Sequence, residues 1–188
     1  MLVIIAGSSG SGKNTIIKEV LKQNPSYKFM PSITTREMRD GEQEGDPYFF
    51  VSESEFDRKI VSGEMMEWVE VHKGTFYGIS NEVYRKMSKV YPVLIKDIDV
   101  DGVNNAKRAG VDVVSIFINV ADKDALRQRL IIRGTTPEDI ERRMSRYDYE
   151  KEKSKTMDYI VENNTELDLP IAISRVNDII KQELEKRK

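Results

Sequence analysis

Apolar residues change their period along this chain so that strands alternate with helices. Leu2-Val3-Ile4-Ile5-Ala6 is an unbroken apolar run, as expected of a strand covered on both faces. From Lys13, apolar positions recur at Ile16, Ile17, Val20 and Leu21, the spacing of a helix with one buried side. Further strand-like runs are Val93-Leu94-Ile95, Val111 to Val120 and Tyr159-Ile160-Val161. The pattern predicts helices over Ser54 to Ser62, Asn81 to Lys89 and Asp122 to Ile132. A last helix, from about Ile171, carries Ile173, Val176, Ile179, Ile180 and Leu184 on one face. Asp122 suits the N-cap of its helix, with Ala125, Leu126 and Leu130 as the apolar stripe. Strands separated by helices predict an α/β fold, a parallel sheet flanked by helices.

Two stretches depart from that alternation. From Pro31 to about Ile79 the chain is polar, with Gly41, Gly45, Gly63 and Gly74 and the aromatics Tyr48, Phe49, Phe50, Phe56, Trp68, Phe76 and Tyr77. This composition predicts a small, largely β insertion with a minor core of its own. The aromatics are expected in that core, and Met65-Met66 are expected to pack the same small domain. From Arg127 to Lys155 lies an arginine-rich stretch with a turn at Gly134-Thr135-Thr136-Pro137. Most of these arginines suit a solvated helix face. Arg142 and Arg143 point about 100° apart on a helix, so at most one faces a shared site.

The junction between the first strand and helix carries the clearest chemistry. It reads Gly7-Ser8-Ser9-Gly10-Ser11-Gly12-Lys13-Asn14-Thr15. Strand, glycine-rich turn, lysine and helix together form the context of a phosphate-binding loop. Glycines let successive backbone N–H groups curl around an anion, the helix N-terminus adds partial positive charge, and Lys13 adds a full one. The chain is therefore expected to bind a nucleotide polyphosphate. Asn14 stands where this motif has Ser or Thr as a Mg²⁺ ligand; an amide oxygen is also a hard donor, so metal binding stays plausible.

Composition narrows the setting. The 188 residues suffice for one well-buried core, and a net charge of −2 gives no global field to attract nucleic acid. With no cysteine there is no disulfide framework or thiolate metal site. No apolar run approaches bilayer-spanning length, and the N-terminus lacks the features of a leader. The expectation is a soluble, cytoplasmic protein without nucleic-acid or membrane partners, with monomer and homodimer both open. His72, the one histidine, is expected at the surface.

The strand from Val93 ends in Lys96-Asp97-Ile98-Asp99. Alternation puts Ile95, Asp97 and Asp99 on one face and Leu94, Lys96 and Ile98 on the other. Ligands of open parallel sheets bind at the carboxyl ends of strands. Asp97 there is expected to support Mg²⁺ through water, against the alternative of a simple cap. Lys96 is out of place in an apolar run and has no explanation at this level.

With these residues in hand, the chain resembles the guanylate kinase family over essentially its full length. The phosphate loop is followed by Ser32-Ile33-Thr34-Thr35-Arg36-Glu37-Met38-Arg39, then Gly41-Glu42, Tyr48-Phe49-Phe50-Val51, Glu64-Met65-Met66-Glu67-Trp68 and Phe76-Tyr77-Gly78. Asp97-Ile98-Asp99-Val100-Asp101-Gly102, Arg129 to Thr135 and Glu162-Asn163-Asn164 continue the match. The resemblance implies a P-loop NTPase-like core (1–31, 83–126 and 157–188), a nucleoside-monophosphate-binding insertion (about 32–82) and an arginine-rich lid (about 127–156).

It further implies ATP-dependent phosphorylation of GMP, and of dGMP, with Mg²⁺. Lys13, Arg36, Arg133 and Arg143 would act on the phosphates in transfer. The loop from Gly7 to Thr15, with Arg129 and Asn163, would hold ATP. Ser32, Arg36, Arg39, Tyr48, Glu67, Tyr77 and Asp99 would hold GMP, and Asn14 and Asp97 the metal. Against the family pattern, Ser8 replaces Pro, Ile79 replaces a hydroxyl residue that reaches guanine, Asp101 replaces Gln, and the lid turn is one residue shorter. Ile79 keeps a kinase of altered base specificity as an alternative, and Asn14 keeps a non-catalytic phosphopeptide-binding module as a more distant one.

Overall fold

A computed structural model of the chain describes its residues apart from Ala109 and the side chains of Val71 and His72. The surface expectation for His72 therefore lies outside the described residues. The elements run β1 (Leu2–Ala6), α1 (Lys13–Gln23), β2 (Tyr27–Phe29), β3 (Ser32–Thr34), β4 (Gln43–Glu44), β5 (Pro47–Phe50), α2 (Glu53–Val61), β6 (Met65–His72) and β7 (Thr75–Ser80). Then follow α3 (Asn81–Ser88), β8 (Val93–Asp97), α4 (Val100–Arg108), β9 (Val113–Asn119), α5 (Lys123–Ile132), α6 (Pro137–Met144), α7 (Tyr147–Lys153), β10 (Tyr159–Glu162) and α8 (Asp168–Glu185).

Five strands form a parallel sheet in the order β10-β9-β1-β8-β2. Its two faces are sorted by the period-2 alternation of strands. Val3 and Ile5 join Ile95, Ile116 and Ile118 under Ile16, Ile17 and Val20 of α1 and Val176, Ile179 and Ile180 of α8. Leu2 and Ile4 join Leu94 and Phe117 on the other face, under Val100, Val103 and Ala106 of α4. Each such side chain taken fully out of water contributes about 1.5–3 kcal/mol. Ile5 lies beside both Asp97 and Ile116, so the loops leaving β1, β8 and β9 emerge at one edge. That edge is where the site forms.

The insertion is a second, mixed sheet in the order β4-β5-β3-β7-β6. Phe56 of α2 is fully buried and its ring lies 5.5 Å from that of Phe76. Trp68 lies on the same ring at 6.2 Å but stays 46% exposed, so it is only partly core. Met66 departs from expectation: with Ile79 it packs under the parallel sheet beside Val100 and Val103. The ends of β6 and β7 run against α3 and α4, so the insertion shares apolar contact with the main core.

Other departures have local causes. β8 stops at Asp97, so strand alternation does not extend to Asp99. Asp99 instead accepts the Gly102 N–H at 3.0 Å and caps α4, a helix that the polar run Asp101-Gly102-Val103-Asn104-Asn105 conceals in the sequence. α8 starts at Asp168, ahead of the expected Ile171. Pro170 is tolerated because first-turn N–H groups have no intrahelical partner. Asp122 caps α5 as expected, accepting the Asp124 N–H at 2.8 Å.

Candidate active site

The turn from β1 into α1 is a hollow bounded by backbone. Gly10 (φ 91°) and Gly12 (φ 87°) are in the left-handed region, and Gly12 starts α1 without a side-chain cap, leaving its N–H groups open. A Cβ on Gly12 would stand 2.5 Å from Asn163 Nδ2, and one on Gly7 2.7 Å from the Ile118 carbonyl oxygen. Asn163, at the end of β10, donates Nδ2 to the Ser11 carbonyl at 2.8 Å. Ser11 Oγ and Asn163 Oδ1 are buried without a partner, which is rare unless a ligand supplies one. Burial holds the Lys13 ammonium below its ordinary pKa; Asp97 and Glu150 oppose that, while Arg133 and Arg143 add to it. Two lid arginines therefore converge on the loop lysine.

Lid helices α6 and α7 are anchored by Ile140, Met144 and Tyr147, which pack on Leu126 and Leu130 of α5. This brings Arg143 Nη1 to donate to Ser9 Oγ at 2.7 Å, while Arg142 turns back to Asp139 at 2.7 Å, the divergence that adjacent helical positions require. Ser8 Oγ donates to Glu150 Oε2 at 2.7 Å, a second tie between loop and lid. Arg129 donates to the carbonyls of Gly10, Asn163 and Asn164 at 3.3, 3.0 and 2.9 Å. Its guanidinium thus braces the loop. Arg129 and Arg133 line a cavity of about 230 Å³ beside Gly10, Gly12, Thr15 and Asn163.

A larger cavity, about 630 Å³, lies between the sheet edge and the insertion. Asn14, Lys96 and Asp97 line its core side, and Ser32, Tyr48 and Tyr77 its insertion side. Asn14 and Thr15 open to different cavities because helix neighbours diverge, so Thr15 does not take over the role of Asn14. Arg36 lies 5.4 Å from the ring centroids of both Tyr48 and Phe50, and donates Nη2 to Glu42 Oε1 at 2.8 Å. Tyr48 and Tyr77 meet edge-on at 5.7 Å. Burial raises the Tyr48 phenol above its usual pKa, keeping it a donor. Arg39 is exposed, and its backbone N–H donates to Glu42 at 2.8 Å.

Glu67 of β6 is 8% exposed and its Oε2 has no partner. The carboxylate occupies space that only a glycine at 102 leaves, since a Cβ there would approach it to 2.8 Å. Burial first, then the charge of Asp99, pushes the Glu67 carboxyl up to about 7, with Lys96 opposing. Among the described residues, Glu67 Oε2, Ser11 Oγ and Asn163 Oδ1 are the buried side-chain atoms without a partner.

Known proteins resemble this chain. The family model described as guanylate kinase matches residues 1–183. The chain is 35% identical over 184 residues to the guanylate kinase of Symbiobacterium thermophilum, covering 97% of this chain and 85% of that one. It is 36% identical over 183 residues to the guanylate kinase of Thermotoga maritima, covering 97% and 86%. This chain belongs to the guanylate kinase family. The crystal structure of guanylate kinase from Anaplasma phagocytophilum superposes with a TM-score of 0.70 at 26% identity, over 98% of this chain and 86% of that one.

Three further positions stand out in this guanylate kinase family member: Ile79, Asp101 and Lys96. Ile79 is 1% exposed and apolar in its contacts, and the hydroxyl of neighbouring Ser80 caps α3 by accepting N–H groups of Glu82 and Val83 at 3.1 and 3.4 Å. Ser80 is therefore occupied and does not replace the hydroxyl missing at 79. Arg146 reaches Asp99 at 3.3 Å and Asp101 at 3.7 Å, and Tyr149 donates to Asp101 at 2.6 Å. Sequence reasoning missed this lid-to-α4 contact; the replacement at 101 was its only trace. Burial pulls the Lys96 ammonium down to about 8, with Asp97 and Glu67 pulling the other way.

The family's chemistry generally requires a divalent metal. Asn14 and Asp97 line the same cavity, and an amide oxygen and a carboxylate are hard donors suited to Mg²⁺. Among the described residues no group of three His, Cys, Asp or Glu could hold an ion alone. Such a site suits a cation that takes its remaining ligands from phosphate and water, as Mg²⁺ does. The residues fit the ion.

Proposed function

We propose that this chain transfers the γ-phosphoryl group of ATP to GMP, and to dGMP, giving ADP and the diphosphate. The observation carrying this reading is that one cavity is lined by the first turn of the phosphate-loop helix and by the Tyr48–Tyr77 face of the insertion. Donor and acceptor phosphates thereby face one space, as in-line transfer requires.

The roles follow from the groups available. The loop from Gly7 through Ser8, Ser9, Gly10, Ser11 and Gly12 to Lys13 offers N–H groups and one ammonium to the ATP phosphates, with Asn14 and Thr15 in the first helical turn. Asn163 and Arg129 hold that loop in shape. Arg36, with Arg39 and the hydroxyls of Tyr48 and Tyr77, takes the acceptor phosphate; Glu42 keeps the Arg36 guanidinium oriented until the phosphate arrives. Arg133 and Arg143, near Lys13, neutralise charge that spreads over the phosphoryl oxygens in transfer. Glu67, with Ser32 and Asp99, reads the base: an ionised carboxylate accepts from N1–H and the 2-amino group of guanine, which adenine does not present. Asn14 and Asp97 hold Mg²⁺, which when bound neutralises phosphate oxygens. Residues about 32–82 act as the acceptor-binding domain and 127–156 as the lid, which exclude water when closed.

No helix among the described residues is long and apolar enough to cross a membrane. A cytoplasmic location, where ATP and GMP are both available, goes with this reading. A coupled assay of ADP release with GMP, dGMP, AMP, CMP and UMP tests the reading. GMP and dGMP are expected to give the largest kcat/KM. No release above background with GMP, or a larger kcat/KM for another base, would overturn it.

A further inference from the structure

Lys96 stands inside β8 between Ile95 and Asp97, and only 3% of it is exposed. Its ammonium has no ion-pair or hydrogen-bond partner among the described residues; its close neighbour is the Phe29 ring, 4.7 Å from centroid to Nζ. A buried cation left in that condition is costly, and a better-packed apolar residue would serve the strand. What the position offers instead is access: Lys96 lines the larger cavity together with Ser32, Tyr48 and Tyr77. Ile79 contributes only apolar surface to the core and the Ser80 hydroxyl caps α3, so neither supplies a free hydroxyl donor.

The buried charges here are of opposite sign and feel each other: Glu67 and Lys96 lie in one another's field. A purine with a 6-oxo group matches such a pair, presenting N–H donors on one side and the O6 and N7 acceptors on the other. Adenine presents an amino group where the oxygen would be and places a donor against the ammonium. We propose that Lys96 is a specificity-determining residue, donating to the O6/N7 edge of the acceptor base as the positive counterpart of the Glu67 carboxylate. This rests on the GMP-kinase reading above and extends it to inosine monophosphate, which carries the same O6/N7 edge.

The test is steady-state kinetics of wild type, K96M and K96Q with GMP, IMP and AMP, alongside thermal melting. K96M is expected to raise KM for GMP and for IMP together, by about 10- to 100-fold, the size of a lost charge-assisted hydrogen bond. KM for ATP stays within about twofold, and the melting temperature does not fall, because a buried unpaired cation has been removed. K96Q, which keeps a neutral N–H donor, recovers part of the loss and gives an answer should K96M fold poorly. An unchanged KM for GMP in either folded variant would overturn the assignment, as would a loss for GMP without one for IMP, or an equal loss for AMP. Those failures are distinct from failure of the parent reading, in which the wild type itself releases no ADP with GMP.

Discussion

Glu67 shows how a single enclosed carboxyl links base recognition to stability. Its folded pKa of about 7 lies above the ordinary 4.5. The folded state therefore prefers the protonated form, and stability declines as pH rises from the unfolded pKa through the folded one. The size is roughly 3 kcal/mol, from 1.36 kcal/mol per pKa unit. Thermal melts between pH 4.5 and 8 should show this decline in the wild type and a flatter curve in E67Q. E67Q should melt higher than the wild type at pH 8 while binding GMP at least tenfold more weakly, since an amide accepts and donates where the carboxylate accepts twice. A titration showing equal pH slopes for the two proteins would count against the buried carboxyl.

Residue identities were unevenly legible. Lys13 and the glycines announce themselves because their chemistry depends on short-range spacing. Lys96 was visible as an anomaly without an account, since its meaning depends on a cavity wall built from residues far away in sequence. The bracing role of Arg129 is hidden in the sequence, because the three carbonyls its donors meet come together only in the fold.

Among the elements, the strands and helices of the core were readable because both faces of a buried sheet impose a period on the sequence. α6 and α7 were not, because short helices at the rim have few apolar positions: α6 buries only Ile140 and Met144, and α7 only Tyr147, while α4 buries Val100, Val103 and Ala106 but hides them among Asp101, Gly102, Asn104 and Asn105. The lid is positioned by those few contacts and by polar ties to its surroundings. Arg146 and Tyr149 are the ties to α4 and its cap, and the Arg146 side chain is 51% exposed. Exposed pairs of this kind contribute about 0–1 kcal/mol, so R146A should leave the melting temperature nearly unchanged. The same substitution frees Asp99, a proposed guanine contact, and should lower KM for GMP a few-fold, on the order of the energy of that pair. A higher KM would instead assign Arg146 to the nucleotide.

At the scale of the whole molecule, two sheets face each other across a cavity of about 630 Å³. The insertion joins the core at the short passage from β2 to β3 and again where β7 meets α3. Joint occupancy by GMP and a non-hydrolysable ATP analogue should draw the sheets together. Small-angle scattering should register a smaller radius of gyration with both ligands than with either alone. Each ligand present at a hundred times its Kd should also add about 2.7 kcal/mol of stability, read as a rise in melting temperature.

The ties from Ser8 and Ser9 to Glu150 and Arg143 carry one further consequence. Under the proposed assignment of the phosphate loop to ATP, a donor nucleotide arrives where the Ser8 and Ser9 hydroxyls are engaged by Glu150 and Arg143, whereas the acceptor enters an open cleft. Entry of the triphosphate would then require those two contacts to part first.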